Sequence, residues 1–321
     1  MAREGTPCRV VIDTDPGVDD ALALLLAATA PELEVPAVLT VGGNVPLAQA
    51  TGNARRILPV AWGGGALPAL HVGRAGGTET AEQVHGSDGL GWATTLLRPD
   101  GEPRYPPTTP LSPLPAVEAL AALARRHPGE ITLITLGPLT NVAAAARLDP
   151  EGSRQLRAIV VMGGAFRETG NVSPLAEFNI YVDPEAAQTV CEAGVPLEWI
   201  SLEVTHHCLL LSQHVNDLPD TPRAHFVRDI VGISFAFHEN VYGARACFPH
   251  DAVAVARVIW PELFRSEPRR VDVETASPLC LGQTVADFRP PVLHRKTPPN
   301  GTVCVDWEPE EFLTHFLARL P

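Results

Sequence analysis

The stretch VIDTDPGVDD, residues 11–20, places four aspartates on one short turn. The apolar run that ends at Ile12 predicts a buried strand, and the run Ala21–Ala28 predicts a helix, so the acids lie where a strand gives way to a helix. Such a junction is a building unit of α/β folds. Carboxylates this close repel one another and resist leaving water, and a hard cation with oxygen ligands is the simplest compensation.

Two explanations of the aspartates stay open at this point. They form a divalent-metal site with a general base, or they serve the backbone alone. In the second case Asp19 and Asp20 cap the helix, while Asp13 and Asp15 make turn hydrogen bonds. A single Asp-Pro-Gly turn would favour the second explanation, whereas four acids at one junction favour the first.

Apolar strand-like runs alternate with alanine-rich helical runs along the chain. This order predicts parallel pairing in a single three-layer α/β domain, residues 1–321, with a mostly parallel central sheet flanked by helices. The predicted strands are Arg9–Ile12, Val35–Val41, Ile131–Leu136, Ala158–Met162 and Leu197–Leu202; the predicted helices are Asp19–Thr29, Leu47–Ile57, Leu114–Arg126, Leu139–Leu148, Asp183–Ala193 and Ala252–Ile259.

Two segments depart from this alternation. Residues 98–115 are rich in proline and predict an irregular excursion or flap rather than a packed element. Residues 217–246 are mainly helical in pattern and predict a helical flap region. Because the alternation resumes after the first segment, we expect one domain and not two.

The composition narrows the class of protein. A net charge of −13 argues against nucleic acid or an anionic membrane as a partner, but it does not exclude a nucleoside, which carries no phosphate. The N-terminus has no signal-peptide core, and no apolar run approaches the roughly 20 residues of a membrane-spanning helix. The six cysteines are widely spaced, which favours free thiols in a reducing compartment. We therefore expect a cytoplasmic protein.

Polar residues follow several predicted strands. Asn44 comes after Val35–Val41, and the group Glu177-Phe178-Asn179, with Asn171 upstream, comes after Ala158–Met162. Ligands of parallel sheets bind at the carboxyl ends of the strands, where these residues would meet the aspartates. A carboxylate with two amides can orient a polyhydroxylated ligand, although taken alone this group fits a polar loop better.

Two histidine-containing pairs are ambiguous by themselves. His250-Asp251 opens a helical run and offers a metal ligand with a proton-transfer group, but an isolated pair of this kind is more often a helix cap. His206-His207 could suggest zinc, but no matching second pair exists, which favours a structural or surface role.

Taken together and in this order, the motifs resemble the inosine–uridine-preferring nucleoside hydrolase family. The resemblance extends from about residue 9 to residue 257, and beyond about residue 260 only the general tail of the fold is similar. The signature comprises Asp13-x-Asp15-Pro16-Gly17-x-Asp19-Asp20, Val41-Gly42-Gly43-Asn44, Leu136-Gly137-Pro138-Leu139-Thr140-Asn141, Met162-Gly163-Gly164, Asn171 with Glu177-Phe178-Asn179, and His250-Asp251.

The resemblance implies a calcium ion and a ribonucleoside substrate. It implies calcium-dependent hydrolysis of the N-glycosidic bond to ribose and free base, by a homodimer or homotetramer. It assigns the calcium ligands to Asp15, Asp20, Asp251 and the main-chain carbonyl of Leu136; the ribose 2′- and 3′-hydroxyls to Asp19, Asn44 and Asn179; and the 5′-hydroxyl to Asn171 and Glu177. Phe178, between Glu177 and Asn179, is a further candidate for substrate binding.

The same resemblance suggests the catalytic residues and the side of the site that binds the base. Asp15 is the expected general base, and His250 is the expected acid that protonates the leaving base. His85 matches a histidine on the base side. His238 and Tyr242 lie in the variable helical flap and are further candidates for base contacts.

Two alternatives stay open from the sequence. A haloacid-dehalogenase-like phosphatase also begins with Asp-x-Asp at a strand end, but the proline and glycine after Asp15 fit it poorly, and the expected lysine and downstream Gly-Asp-x-x-x-Asp are not found. A non-catalytic, calcium-dependent ribose or nucleoside binder could use the same fold. The sequence does not decide between purine and pyrimidine bases.

Overall fold

The computed structural model describes residues 6–290, 293 and 297–320 of the chain. Residues 1–5, on which the expectation of no signal peptide rested, lie outside the described residues. The strands are β1 (Cys8–Thr14), β2 (Leu33–Thr40), β3 (Ala69–Val72), β4 (Ile131–Thr135), β5 (Ala158–Met162), β6 (Leu197–Ile200), β7 (Leu210–Leu211), β8 (Ala246–Cys247), β9 (Phe264–Arg269), β10 (Val271–Val273), β11 (Thr284–Ala286) and β12 (Gly301–Trp307).

Eight of the strands form one central sheet in the order β3-β2-β1-β4-β5-β6-β12-β9. Neighbouring strands in it are parallel, except that β9 runs antiparallel to β12 at one edge. The pairs β10–β11 and β7–β8 form two small antiparallel sheets. The strand order reverses at β1, with β2 on one side and β4 on the other, and such a reversal opens a crevice at the carboxyl ends of the strands.

Helices cover both faces of this sheet. They are α1 (Val18–Thr29), α2 (Leu47–Trp62), α3 (Glu82–His85), α4 (Ala116–Arg126), α5 (Thr140–Leu148), α6 (Pro150–Ser153), α7 (Phe178–Val182), α8 (Pro184–Glu192), α9 (Leu202–Thr205), α10 (Ser212–Asn216), α11 (Pro222–Ile230), α12 (Gly232–Tyr242), α13 (His250–Ile259) and α14 (Pro309–Arg319), with 3-10 turns at Ala93–Thr95 and Pro261–Leu263.

Two hydrophobic cores lie on opposite faces of the sheet. Val10 and Ile12 of β1 pack into one core with α1, α2 and α13, whereas Val11 between them packs into the other with α4, α5 and α8. Alternate side chains of a strand point to opposite faces, so a strand covered on both sides is apolar throughout. The predicted three-layer α/β architecture is confirmed.

Helix α2 is longer than its predicted end at Ile57, because it continues through Pro59 to Trp62. A proline inside a helix leaves the carbonyl four residues earlier without its usual donor. Here that carbonyl belongs to Arg55, and it accepts hydrogen bonds from the backbone N–H and the hydroxyl of Thr109. The proline is therefore tolerated because a distant segment replaces the missing bond.

That distant segment is the proline-rich stretch, residues 98–115. It contains isolated bridges but no helix or strand of its own. Tyr105 within it is buried, packs edge-on against Phe226 of α11, and donates a hydrogen bond to Asp229 at 2.6 Å. The expectation that this stretch is not packed was wrong, because proline content excludes regular hydrogen bonding but not burial.

The remaining differences are at element ends, in short elements and in the last quarter of the chain. The strand predicted to end at Leu202 ends at Ile200, and Leu202 begins α9. Residues 217–246 hold α11 and α12, whereas β3, β7–β12 and α14 were not predicted. The six cysteines are free thiols, as expected. Within the described residues, each helix is too short or too polar to span a lipid bilayer.

Candidate active site

A cavity of about 210 Å³ opens at the carboxyl ends of β1, β2, β4 and β5. Its lining contains all the candidate residues from the sequence except Asp15 and Asp20, which are buried behind it. The candidate residues in the lining are Asp19, Asn44, His85, Leu136, Asn171, Glu177, Phe178, Asn179, His238, Tyr242, His250 and Asp251.

Three carboxylates from distant parts of the chain meet at the base of this cavity. Asp19 and Asp20 lie in the first turn of α1, and Asp251 lies in the first turn of α13. One carboxylate oxygen of each lies within 4.8 Å of the others. The two helices thus direct their N-terminal ends, which favour negative charge, toward the same point.

Asp15 is enclosed by backbone beside this group. Its Oδ2 accepts the backbone N–H of Asn44 at 2.7 Å, and its Oδ1 is buried without a hydrogen-bond partner among the described residues. A Cβ on Gly43 would lie 2.1 Å from one carboxylate oxygen, and a Cβ on Gly137 would lie 2.4 Å from the other. Only glycine at both positions leaves room for the Asp15 carboxylate.

Asp20, unlike Asp15, accepts bonds from three separate donors. It accepts bonds from the Thr14 hydroxyl, from the Gly17 backbone N–H at 2.8 Å and from the Asn44 side-chain amide at 3.0 Å. The backbone N–H of Asn44 also donates to Asp15. Asn44, in the loop after β2, therefore orients two of the acids.

The acids are strained electrostatically. Burial raises the pKa of Asp15 and of Asp251 well above its ordinary value, and neighbouring carboxylates raise both further. Burial likewise raises the pKa of Asp19 to about 6. Asp19 Oδ1, like Asp15 Oδ1, is buried without a hydrogen-bond donor in the described chain. Buried acids with uncompensated oxygens are the donor set that a hard divalent cation prefers, so these residues fit such an ion.

The wall across from the acids is held by the segment around α7. Glu177 caps this helix and accepts three backbone N–H bonds, from Gly164 at 3.0 Å, Asn179 at 2.9 Å and Ile180 at 3.2 Å. Burial nevertheless raises its pKa to about 7. Asn171 accepts the backbone N–H of Phe178 at 2.9 Å. Glu177 is therefore engaged with backbone more fully than its expected role as a substrate ligand suggested.

Asn179 joins the two strands beside this wall. Its side-chain amide donates to the carbonyl oxygen of Leu136 at 2.6 Å, just after β4, and to that of Met162 at 3.2 Å, at the end of β5. The carbonyl of Leu136, the expected main-chain metal ligand, is thus oriented by a neighbouring amide in the cavity lining.

His85 has a defined tautomer. Its Nδ1 accepts the backbone N–H of Val18 at 3.0 Å, which leaves the ring proton on Nε2. Burial lowers the pKa of His85 to about 4, so the ring is neutral at pH 7. His250 is held by a bond of 2.7 Å between its Nδ1 and the Thr205 hydroxyl, and burial lowers its pKa well below the ordinary value.

An aromatic cluster forms the rest of the lining. Phe248 lies at its centre, with ring centroids at 4.9 Å from His206, 5.1 Å from His238, 5.5 Å from His250 and 5.9 Å from Tyr242. His206, for which the sequence favoured a structural or surface role, is in the cavity lining. Planar ligands such as a nucleobase pack favourably against such rings.

Comparison with known proteins identifies this arrangement. The family model described as inosine-uridine preferring nucleoside hydrolase matches residues 10–314. The chain belongs to this nucleoside hydrolase family. It is therefore an enzyme that hydrolyses the N-glycosidic bond of ribonucleosides, and the phosphatase and non-catalytic alternatives lose their support.

Individual relatives of this nucleoside hydrolase cover nearly its whole length. It is 34% identical to the pyrimidine-specific ribonucleoside hydrolase RihA of Salmonella paratyphi B, over 97% of each chain. It is 34% identical to uridine nucleosidase 1 of Arabidopsis thaliana, over 87% of this chain and 82% of that one. Among solved structures, a plant nucleoside hydrolase superimposes with a TM-score of 0.88 at 32% identity, covering 98% of this chain and 99% of the other.

Sequence reasoning missed several residues of the nucleoside hydrolase cavity. Phe248 precedes the His250-Asp251 pair by two residues, so its nearness to the site was available from the sequence. Thr205, the last residue of the short helix α9, and His206 directly after it both follow β6, where a strand-end rule would have included them. The packing of α12 determines which aromatic residues of the segment 217–246 face the cavity. No local sequence pattern predicts that packing.

Proposed function

We propose that this nucleoside hydrolase depends on calcium, bound by Asp15, Asp20, Asp251 and the carbonyl oxygen of Leu136. The observation that carries the proposal is the convergence of Asp19, Asp20 and Asp251 on one point of the cavity. Asp15 lies beside them, and the Oδ1 atoms of Asp15 and Asp19 are buried without a donor among the described residues. Asp19 belongs to the group of three converging carboxylates, so it is the nearest alternative ligand to Asp15. When bound, calcium would supply positive charge that draws in oxygen ligands and lowers the pKa of a coordinated water.

The residues around this point have separate tasks in the proposed reaction. Asp15 accepts the proton of the attacking water as general base. Asp19, Asn44 and Asn179 hold the ribose 2′- and 3′-hydroxyls. The surrounding carboxylates stabilise the positive charge that develops on the sugar as the glycosidic bond breaks.

The other end of the cavity handles the 5′-hydroxyl and the base. Asn171 and Glu177 bind the 5′-hydroxyl in this proposal, with Phe178 next to Glu177. His250, held through the bond between its Nδ1 and the Thr205 hydroxyl, is the acid that assists departure of the base. His85 offers its Nε2–H on the same side, and the rings of His238 and Tyr242 pack against the base.

Metal replacement tests the calcium proposal. The protein is treated with chelator, its residual metal is measured, and the free base released from a ribonucleoside panel is quantified by chromatography before and after addition of Ca²⁺ or Mg²⁺. We expect activity to vanish with the metal and to return best with Ca²⁺. Full activity in protein that retains less than a tenth of an equivalent of metal would exclude a catalytic ion.

Sugar recognition has its own test. A missing 2′-hydroxyl leaves buried polar groups unpaired, so we expect 2′-deoxyuridine to be cleaved about 100-fold or more slowly than uridine. Uridine 5′-phosphate should also be a poor substrate, because the Glu177 carboxylate, the proposed ligand of the 5′-hydroxyl, would repel the phosphate. Equal rates for uridine and its deoxy analogue would contradict the assignment of the hydroxyl ligands.

We also propose that pyrimidine ribonucleosides are the preferred substrates. The support comes from two relatives, one named a pyrimidine-specific ribonucleoside hydrolase and the other a uridine nucleosidase. We expect kcat/KM for uridine to exceed that for inosine by tenfold or more, as about 1.4 kcal/mol of differential binding would give. Faster hydrolysis of inosine would contradict the preference while leaving the reaction itself intact.

Assembly and location stay predictions from the sequence. We propose a homodimer or homotetramer, tested by light scattering of the purified protein across a concentration series. We propose a cytoplasmic enzyme, tested by fractionation of cells that express it with a small tag. A monomer at all concentrations, or recovery outside the cytoplasmic fraction, would contradict the respective prediction.

A further inference from the structure

Asn53 lies in the interior of α2, fully buried and outside the cavity lining. Its side-chain nitrogen donates one hydrogen bond to the carbonyl oxygen of Pro16 at 3.0 Å and another to that of Asp88 at 2.8 Å. Pro16 belongs to the turn that carries the acids, and Asp88 belongs to the loop that follows His85. One amide therefore joins two cavity-forming segments from behind.

The chemistry of this position requires an amide. The side-chain nitrogen carries two hydrogens, and each is given to a different carbonyl. Its Oδ1 accepts the side-chain amide of Gln49 at 3.0 Å, which fixes the orientation of the Asn53 group. A carboxylate here would face two carbonyl oxygens. An aliphatic side chain would remove the Asn53 donor from both carbonyls, although the Asp88 carbonyl would keep its bond from the Gln49 side chain at 3.1 Å.

The loop on the far side of Asn53 is braced by its own hydrogen bonds. The Asp88 carboxylate accepts the backbone N–H groups of Leu90 at 2.9 Å, Trp92 at 2.9 Å and Thr94 at 3.1 Å. Gly89 has a φ of +79°, and a Cβ there would lie 2.7 Å from the Asn53 nitrogen. The loop backbone thus passes directly against the amide, so a shift at Asn53 moves the loop as a unit.

The same two segments also meet inside the cavity. The backbone N–H of Val18, at the start of α1, donates to His85 Nδ1 at 3.0 Å. A Cβ on Gly17 would lie 2.8 Å from that nitrogen, so the contact is close. The placement of His85 relative to the acids is therefore supported from inside the cavity as well as from behind it, through Asn53.

We propose that Asn53 is a positioning residue for nucleoside hydrolysis. It sets the placement of the His85 loop, on the base side, relative to the acid turn, on the sugar side. The inference rests on the proposed roles of these two sides. A misplacement of about 1 Å remote from the chemistry can cost on the order of 100-fold in rate. Loss of Asn53 should therefore impair turnover of a nucleoside without impairing the binding of ribose alone.

The test compares N53D and N53S with T51V. Thr51 lies in the same helix and is buried, and its hydroxyl bonds to the Thr40 hydroxyl of β2 at 2.9 Å rather than to the acid turn or the His85 loop. Steady-state kinetics with uridine and product inhibition by ribose are measured in excess Ca²⁺. For N53D we expect kcat/KM to fall about 30- to 100-fold while the ribose inhibition constant stays within about twofold. T51V should leave both unchanged.

N53S is the milder variant, because a hydroxyl has one hydrogen and can serve only one of the two carbonyls. Its kcat/KM should lie between those of N53D and the wild type. If N53D does not fold, the same kinetic criteria are applied to N53S. Hydrogen exchange gives a readout independent of catalysis: amides of residues 86–94 should exchange faster in the Asn53 variants and not in T51V.

Two kinetic results would overturn the proposal. One is kcat/KM within twofold of wild type in the Asn53 variants, which would leave Asn53 a purely structural role. The other is a ribose inhibition constant that rises as much as kcat/KM falls, which would indicate general damage to the site. A wild-type protein that releases no base from any ribonucleoside would instead contradict the proposed function, and hydrogen exchange would then decide the link through Asn53.

Discussion

The surroundings of Asp15 disfavour the charged form of its carboxylate. Burial and the nearby Asp20 both raise its pKa, and one of its oxygens has no donor among the described residues. Folding places it there nevertheless, between the backbones of Gly43 and Gly137. Costs of this kind concentrate at functional sites, where an ion or substrate supplies the missing interaction.

Replacing Asp15 by Asn should remove turnover without unfolding the protein. The amide keeps the shape of the side chain but cannot accept the water proton, so we expect kcat to fall by about 1,000-fold or more. Repulsion among the acids also falls, so the melting temperature of metal-free protein should not drop. The control is D272N, because Asp272 pairs with Arg270 at the surface. A variant with near-normal kcat would exclude Asp15 as the base.

Asp13 gives a prediction on pH. Burial raises its folded pKa to about 7, although the Asn141 amide partly opposes this. The folded state therefore holds a proton that the unfolded chain releases near its ordinary pKa of 3.8. Stability from this group is complete below about pH 4 and falls by up to about 1.4 kcal/mol per pH unit as the pH rises toward 7.

The D13N variant isolates that contribution. Its amide does not titrate, so the free energy of unfolding of D13N minus that of wild type should increase between pH 5 and pH 7. Urea unfolding of both proteins in chelator measures it, and the other acids are present in both and cancel. A difference that is constant across this range would contradict the assigned pKa.

The loops that follow the strands build the site by close backbone approach. The loop after β2 brings Gly43, and the loop after β4 brings Gly137, against the two oxygens of Asp15. Elsewhere the proline-rich segment supports α2 through Thr109 and α11 through Tyr105. Loops without regular structure thus determine both the space around the acids and the placement of the helices beside them.

Substituting Gly137 by Ala should disable the enzyme through Asp15. The new Cβ would lie 2.4 Å from the Asp15 Oδ1, so either the carboxylate or the β4 loop must move. We expect kcat to fall by about 100-fold, as for a displacement of about 1 Å. G52A adds the same methyl group in α2, where its nearest neighbour is the flexible end of Arg56 at 3.3 Å. If G137A retains kcat within twofold, the close packing around Asp15 has no role in catalysis.

Much of the architecture was predictable because it depends on local pattern. Strands such as Ala158–Met162 are continuous apolar runs, and the helices between them have regular apolar spacing. The edge strand β3 and the antiparallel strand β9 were missed. β3 is short, and β9 has the sequence FRSEPR, whose charges and proline are typical of a sheet edge and weaken the strand signal.

The sequence motifs predicted which residues belong to the site, but not how they are arranged in space. Family order brought Asp251 into the same group as Asp20, although more than two hundred residues separate them. The exact arrangement, with Asp19 in the converging set, depends on how α1 packs against α13. The contacts of Asn53 were not predictable, because its side chain bonds to Pro16 and Asp88, two segments far away in sequence.

Asp20 lies in α1 and Asp251 in α13, two helices far apart in the sequence. An ion that joins them should therefore stabilise the whole molecule. An ion that binds only the folded state adds about 2.7 kcal/mol at a concentration 100 times its dissociation constant. We therefore expect Ca²⁺ to raise the melting temperature of chelator-treated protein in a concentration-dependent way. Mg²⁺ should raise it less, since it requires a stricter geometry and releases its water reluctantly.

Variants separate this specific site from general screening of the charge of −13. In D20N and D251N the calcium shift should be lost, whereas D272N, which changes the net charge equally, should keep it. Screening by salt would act on all of these proteins alike. A wild-type melting temperature that does not respond to Ca²⁺, or responds equally in D251N, would mean that these acids hold no ion and balance their charge by protonation instead.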